Sequence, residues 1–314
     1  MALNSIGAKQ YTQLLNKACR ANFLPEIQSV LERARTSSPS AYPEVLRDAL
    51  QKALYRACSI EIISYLVAIE RTSIDALTPS FVARSASIPA LEILVAHGWD
   101  VNRGRDDGET VLYYVLHDEA VVRWLVDHGA DVALGDVDYL AQGRFVPRPA
   151  PLLEACAERG SLASFRLLLE RGAQVSRRTL HCAALTGAES GADPAAVHSE
   201  QRLGEDAEAF EYRRERERIL RFLVEERGLN VNQMDSDVPA QMHWGTSINY
   251  AAKSRAGVGV VRWLLTKGAD PTIKGLEDGS DAEGMALTWA KSEEIMELTR
   301  NWKRGKPTGQ ATDN

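Results

Sequence analysis

Apolar and polar positions along this chain fall into one phrase that returns with the same order of residue types. The stretch Val121 to Val132, VVRWLVDHGADV, returns from Val260 to Pro271 as VVRWLLTKGADP. Variants run from Ser164 to Ala173, from Ile219 through Val224 on to Gly228, and from Ala90 to Gly98. Two apolar residues, one polar residue and three more apolar residues make one apolar face at a period of 3.6, and the glycine stands where a left-handed C-cap belongs. Each copy therefore predicts an amphipathic helix with its own stop. Fainter copies at Ile27 to Leu31 and at Ile62 to Val67 lack the glycine, so the N-terminal repeats are degenerate.

A second phrase precedes the first. It reads RTLHCAALTG from Arg178 to Gly187, GTSINYAA from Gly245 to Ala252, GETVLYYV from Gly108 to Val115, and PLLEACAERG from Pro151 to Gly160. Paired small residues let two helices approach closely. Together the phrases predict a turn, a short Ala-rich helix, a tight connection, a longer helix and a Gly-capped exit.

That unit resembles the ankyrin repeat, in which T-P-L-H-x-A-A is followed by L-L-x-x-G-A-D about every 33 residues. The resemblance covers about residues 10 to 300 and is nearest in style to the divergent, insertion-bearing ankyrin proteins of filamentous fungi. It implies an all-α repeat solenoid of about seven helix-turn-helix repeats plus a C-terminal cap, forming one repeat domain over 1–304. Trp99 stands where the family has Ala after the exit glycine, and the fourth unit is shortened between Val115 and Val121. The unit from Gly284 to Ala290 leads into a charged second half, as a terminal cap requires. Residues 305–314 are polar and predict a disordered tail.

Glycine spacing exposes two insertions. Gly98 to Gly129 is 31 residues, Gly129 to Gly172 is 43, and Gly172 to Gly228 is 56. The first insertion, near 133–149, falls where the resemblance places a projecting finger. The second, near 188–215, falls between the helices of the sixth repeat. Its mixed charges from Glu211 to Arg218 predict a solvated extension of the second helix, after a flexible Gly/Asp/Pro loop.

Charge and composition narrow the function. With 37 basic and 43 acidic residues, net −6, the chain has no basic stripe of the kind nucleic acid requires. No apolar run reaches 18 residues, and the N-terminus lacks the basic and apolar regions of a secretory signal. These features predict a cytoplasmic protein without membrane or nucleic-acid partners, with a nuclear location also open, and a monomer. Cys19, Cys58, Cys156 and Cys182 lie far apart with no CxxC pair, which predicts reduced thiols packed in helices rather than a metal site.

Catalytic chemistry finds little footing. His181 occupies the family's T-P-L-H slot, where the resemblance implies a bond to backbone in the neighbouring turn. His97 and His128 precede exit glycines, where a helix C-terminus favours a cation. His243 fits either a packed finger or a contact surface. Cys182 beside His181 is no dyad, because adjacent helical residues point apart. Asp278 to Asp281 lacks the spacing of a calcium loop, and no Gly-rich phosphate cradle, H-E-x-x-H or G-x-S-x-G is present. No cofactor is expected, and the chain reads as no enzyme. The alternative is an enzyme, or a regulatory subunit of one, working from the insertions through His198, Asp136 or Asp138; a further alternative is a pure assembly element.

The expected function is a scaffold or adaptor that holds a protein partner on its fingers and first helices. Candidate contacts are Trp99, Arg103, Arg105, Tyr113, Tyr114, Tyr139, Phe145, Arg148, Arg177, Met242, His243, Trp244 and Tyr250. Trp124, Phe222 and Trp263 share one core position, and Arg123, Arg166, Arg221 and Arg262 share one outer position that predicts a basic row.

Overall fold

A computed structural model of the chain describes residues 2–75, 77–106, 108–135, 149–196 and 200–305, with side chains from residue 10 onward. The chain divides into two compact units, Met1–Asp131 and Val132–Asn314. Among the described residues every element is helical.

The first unit contains four antecedent-and-partner pairs. Helix α1 (Ala2–Ala21) pairs with α2 (Leu24–Ser37), and α3 (Tyr42–Tyr55) with α4 (Ile60–Ser64), which continues as a π-turn over Tyr65–Ile69. Helix α5 (Pro79–Arg84) precedes α6 (Ile88–Ala96), and a 3-10 turn (Val111–Tyr114) precedes α7 (Glu119–Asp127). That single turn is the shortened fourth unit. In the second unit α8 (Leu152–Arg159) pairs with α9 (Leu162–Glu170), and α10 (Thr179–Glu189) with α11 (Ala207–Arg221) and its π-turn Phe222–Glu226. Helix α12 (Ser247–Ala252) and a 3-10 turn (Arg255–Gly257) lead to α13 (Val258–Thr266). Helix α14 (Ala282–Met285) runs through the π-turn Ala286–Ala290 and pairs with α15 (Glu293–Gly305). The described residues thus hold seven pairs and a cap pair, as the repeated phrases predict.

Within each unit, first helices stack on first helices. In the first unit α1 packs on α3, α3 on α5 and α5 on the 3-10 turn; in the second α8 packs on α10, α10 on α12 and α12 on α14. Contact with nearest neighbours alone is the signature of a repeat array. Small side chains permit the approach, since Ala183, Ala184, Ala251 and Ala252 are all buried. The second helices supply the larger core. Leu94, Leu125, Leu168, Leu223 and Leu264 share one slot and are fully buried, so truncating any of them to Ala costs about 2–5 kcal/mol.

Both ends of the second helix are built the same way from repeat to repeat. At the start, the side chains of Ser87, Asp118 and Ser161 accept from the backbone N–H of Ala90, Val121 and Ser164, each contributing about 1 kcal/mol. At the end, Gly98, Gly129, Gly172 and Gly268 take φ of 93°, 87°, 96° and 85°. The next residue then donates to the core leucine carbonyl: Trp99 to Leu94, Ala130 to Leu125, Ala173 to Leu168 and Ala269 to Leu264, at 2.9–3.0 Å. This is a Schellman closure, in which the residue after the glycine folds back on the helix. The π-turns absorb one extra residue in the same design. Leu229 donates to Leu223 after Gly228, and Thr72 donates to Leu66 after Arg71, which takes φ 52° without being glycine. The degenerate second repeat therefore keeps the exit and lacks only the residue that suits it.

The 188–215 insertion differs from expectation. Its charged helix is an extension of α11 with an exposed outer face, including Glu208, Glu211 and Tyr212, and an inner face that is not solvated. Arg213, Arg216 and Glu217 are buried. Arg213 forks onto Glu205 at 2.9 and 3.0 Å, reaches Glu217 at 3.1 Å and the Glu200 carbonyl at 2.8 Å. Glu217 accepts from the Asp193 N–H at 3.1 Å, and Arg221 donates to the carbonyls of Pro194 and Ala196. Arg216 donates to the carbonyls of Ala157 and Gly160, which end α8 and have no helical partner of their own. Burial pushes the Arg216 guanidinium below its usual range, and the two carbonyls at a helix C-terminus are what make a buried cation tolerable there. The expected tail lies outside the described residues apart from Gly305, as does most of the 133–149 insertion.

Candidate partner-binding surface

The finger between α11 and α12 is held from beneath by Asp235. Its backbone N–H donates to the Gly245 carbonyl at 3.0 Å, its Oδ1 accepts from the Gly245 N–H at 3.2 Å, and its Oδ2 accepts from the Tyr250 hydroxyl at 2.5 Å. Burial raises the Asp235 carboxyl above its usual range, and the Tyr250 hydroxyl opposes that rise. Beside this staple the His181 ring meets the Tyr250 ring edge-on at 5.1 Å. His181 Nδ1 faces the Arg177 carbonyl at 3.1 Å and Nε2 faces the Gln233 carbonyl at 2.9 Å, so the ring links its helix to the neighbouring turn. Burial lowers its pKa to about 4.

Four expected contact residues are packed inside their own units and not on a surface. Tyr113 and Tyr250 are fully buried, and Trp99 and His243 nearly so. Trp99 follows an exit glycine, and the Schellman closure drives that position onto the helix core. Tyr113 lies on the inner side of a turn too short to present a second face. His243 bonds the Gln241 carbonyl at 3.1 Å, and burial, with Arg178 adding to it, lowers its pKa to about 4. Of the two readings open for His243, the packed finger is the one seen.

Other expected residues are on the surface but already paired. Arg103 donates to the Asp75 carbonyl. Arg105 donates to the Tyr114 hydroxyl at 2.8 Å, which donates to Glu109 at 2.8 Å. Arg177 pairs with Asp237 at 2.6 Å. The basic row is largely paired, with Arg123 on Glu119, Arg166 on Glu226 and Arg262 on Glu294, while Arg221 keeps its charge and donates to backbone carbonyls. Exposed pairs of this kind contribute little stability, yet they remove the bare positive field an acidic partner would need. Phe222 and Trp263 are buried as expected, while Trp124 is half-buried and stacks on His128 at 3.8 Å. His97 and His128 each turn Nδ1 back to the helix carbonyl four residues earlier, at 2.8 and 2.7 Å. Tyr139, Phe145 and Arg148 lie outside the described residues, as do His198, Asp136 and Asp138.

Met242 and Trp244 remain, and the structure adds neighbours that the periodicity hid. Met242 is 51% exposed at the finger tip, with φ 65°. The Trp244 ring packs edge-on against Tyr250 at 4.9 Å and carries the Lys253 ammonium 2.8 Å from its centroid. The same ammonium lies 4.6 Å from the centroid of Trp289, in the π-turn after α14. Burial pushes Lys253 down to about 8, against Glu189, Glu277 and Asp278. The next finger comes in beside it: Asn249 Nδ2 donates to both the Trp244 and Ile273 carbonyls, and a Cβ on Gly275 would stand 2.6 Å from the Trp244 carbonyl. Leu276, Leu287 and Trp289 are 44%, 63% and 57% exposed. A charged second half does cap the array, since α15 buries Ile295, Met296 and Thr299 and turns Glu293, Glu294 and Glu297 outward. The first half of that cap is apolar and open.

A polar link missed in the sequence also recurs. Asn102 Nδ2 donates to the Gly129 carbonyl at 2.8 Å and its Oδ1 accepts from Asp131 N–H at 2.7 Å. Asn232 does the same with Gly268 and Asp270, at 3.0 and 2.7 Å. Each asparagine stands four residues after an exit glycine, in a Val-Asn pair, and that shared offset was the available signal.

No family model matches the chain, and no curated protein matches it. Among solved structures, the human ASB11 ankyrin repeat domain is 21% identical, with 72% of this chain and 97% of that one covered and a TM-score of 0.38. The ankyrin repeat domain of Bcl-3, described as a unique member of the IkappaB protein family, is 17% identical, with 91% and 97% covered and a TM-score of 0.39. On the recurrence of its own helix pairs, Schellman exits and asparagine links, the chain is an all-α array of helix-pair repeats similar to the ankyrin repeat.

Proposed function

We propose that the chain is a protein-binding repeat module, one array over 1–304 acting as a cytoplasmic monomer, whose contact surface in the second unit is the finger and first-helix edge around Met242, Trp244, Lys253 and Trp289. The observation that carries this reading is the exposure of Met242, Leu276, Leu287 and Trp289 on adjoining segments of a chain whose other large apolar side chains are mostly buried. Large apolar side chains gathered on an otherwise polar surface mark contact sites, and aromatic anchors contribute most to such contacts. Trp289 and Trp244 supply the anchors. Lys253, half-desolvated between them, supplies a cation that favours an acidic group on the partner. Among the described residues no helix is long and apolar enough to cross a membrane, which leaves the open apolar edge without that explanation.

The test is site-specific photo-crosslinking in the native host. A photoreactive residue in place of Leu287 is expected to trap a discrete protein adduct, while the same residue in place of Glu297, on the outer face of α15, traps none. Identical adducts at both positions, or none at either, would contradict the reading.

A further inference from the structure

Two of the four cysteines differ from the others. Cys156 and Cys182 sit inside α8 and α10, where burial pushes Cys156 up to about 12 and raises Cys182 well above the ordinary thiol value. Cys19, in the last turn of α1, and Cys58, in the connection from α3 to α4, instead meet. Cys58 Sγ donates to the Cys19 carbonyl at 3.4 Å, which sets the two residues side by side. Ala57, at φ 48°, turns the chain so that Cys58 faces α1 on one side and a cleft on the other. The cleft has a volume of about 340 Å³, opens to solvent, and is lined by Cys58 with Arg84, Ser85, His117 and Asp118 among others.

We propose that Cys58 and Cys19 form a hydroperoxide-responsive dithiol, with Cys58 the thiol that meets the oxidant in the cleft and Cys19 the thiol that resolves it. The Cys58 thiolate attacks the distal oxygen of the hydroperoxide, the O–O bond breaks, and the alcohol or water leaves with the proton lost by Cys58. The sulfenic acid so formed is attacked by the Cys19 sulfur; an S–S bond forms, the S–O bond breaks, and hydroxide leaves as water with the Cys19 proton. Two thiols lose two electrons in total, and one hydroperoxide becomes one alcohol and one water. A small thiol reverses the bond by exchange.

Chemistry and position assign the two roles. Sulfenic acid formation follows thiolate character and access. Cys58 lines the open cleft, whereas Cys19 is not among the residues that line it, so Cys58 is the thiol an oxidant reaches first. Cys19 is enclosed behind it in α1, so it meets a sulfenic acid on Cys58 and not the oxidant itself. Neither Cys156 nor Cys182 has a thiol partner at hand or a lowered pKa.

The experiment exposes the reduced full-length protein to graded hydrogen peroxide, blocks remaining thiols with iodoacetamide under denaturing conditions, and reads intact mass and peptides. The expected result is loss of two hydrogens and a linked peptide joining Cys19 to Cys58, formed at least about tenfold faster than any oxidation of Cys156 or Cys182. In Cys19→Ser the sulfenic acid persists and is trapped by dimedone on Cys58; in Cys58→Ser the fast oxidation is lost. The wild-type measurement stands alone if a variant folds poorly. Four thiols oxidising at similar rates, or oxidation without the Cys19–Cys58 link, would overturn the proposal.

Discussion

The Tyr250 hydroxyl donates to Asp235 Oδ2 at 2.5 Å, and both side chains are buried. Through that bond the finger bearing Met242 and Trp244 is fixed to α12, since Asp235 also holds both polar groups of the Gly245 backbone. Tyr250→Phe leaves a buried carboxylate short of a donor, at a cost of about 1–3 kcal/mol. Chemical denaturation should show that loss, and hydrogen exchange should show faster opening from Asp235 to Gly245 than elsewhere in the unit.

Acid should weaken the fold through two histidines. His181 and His243 titrate at about 4 when folded, against about 6.5 when exposed. Between those values the unfolded chain binds protons that the folded chain does not, so stability is full above pH 6.5 and declines as pH falls toward 4. For the fully buried His181 the decline approaches about 3 kcal/mol. The raised carboxyls of Glu154 and Asp235 act in the opposite sense, because their protonation relieves burial. Denaturation midpoints of wild type and His181→Gln at pH 7.5, 6 and 5 separate the two, with a flatter profile expected for the variant.

Arg216 closes the end of α8 from inside the 188–215 insertion. Arg216→Ala leaves the Gly160 carbonyl without that donor and the Ala157 carbonyl with the long Thr186 hydroxyl bond of 3.5 Å, and opens a void, so a loss of about 2–4 kcal/mol is expected. Arg214→Ala, two residues away and resting at the surface on Glu211 and the Phe210 ring, should change stability by less than about 1 kcal/mol. Thermal melts of both variants check the contrast.

Arg71 occupies the left-handed exit that glycine takes in later repeats. Arg71→Gly should therefore stabilise the first unit by about 0.5–1 kcal/mol, whereas Gly172→Ala should destabilise the second by about 1 kcal/mol. Opposite signs at equivalent positions are the outcome to measure, by denaturation of each variant.

Much of the array was legible because caps and apolar faces are local. The helix pairs and the exit glycines follow from residues within one repeat, while the bond of His181 to the Gln233 carbonyl, 52 residues on, was what the resemblance implied. Exposure within the fingers was not. Trp99 and Tyr250 look like contact aromatics until the Schellman closure and the Asp235 bond turn them inward. Arg213 and Arg216 read as a solvated charged helix because their partners, Glu205 and the α8 carbonyls, lie 8 to 59 residues away in sequence. Trp289 belongs to a first helix that ends in a π-turn, and that turn shifts the apolar face out of the register its periodicity suggests.

The central claim is that the edge around Met242, Trp244 and Trp289 holds a protein partner. Its most direct measurement is quantitative affinity purification from the native host with three baits: wild type, Glu297→Ala, and Met242→Ala combined with Trp289→Ala. Loss of two anchors should cost more than about 1 kcal/mol. At least one protein should then be retained equally by the first two baits and reduced about fivefold or more on the third, with all three baits showing equal melting temperatures. Identical captures from all three would contradict the account.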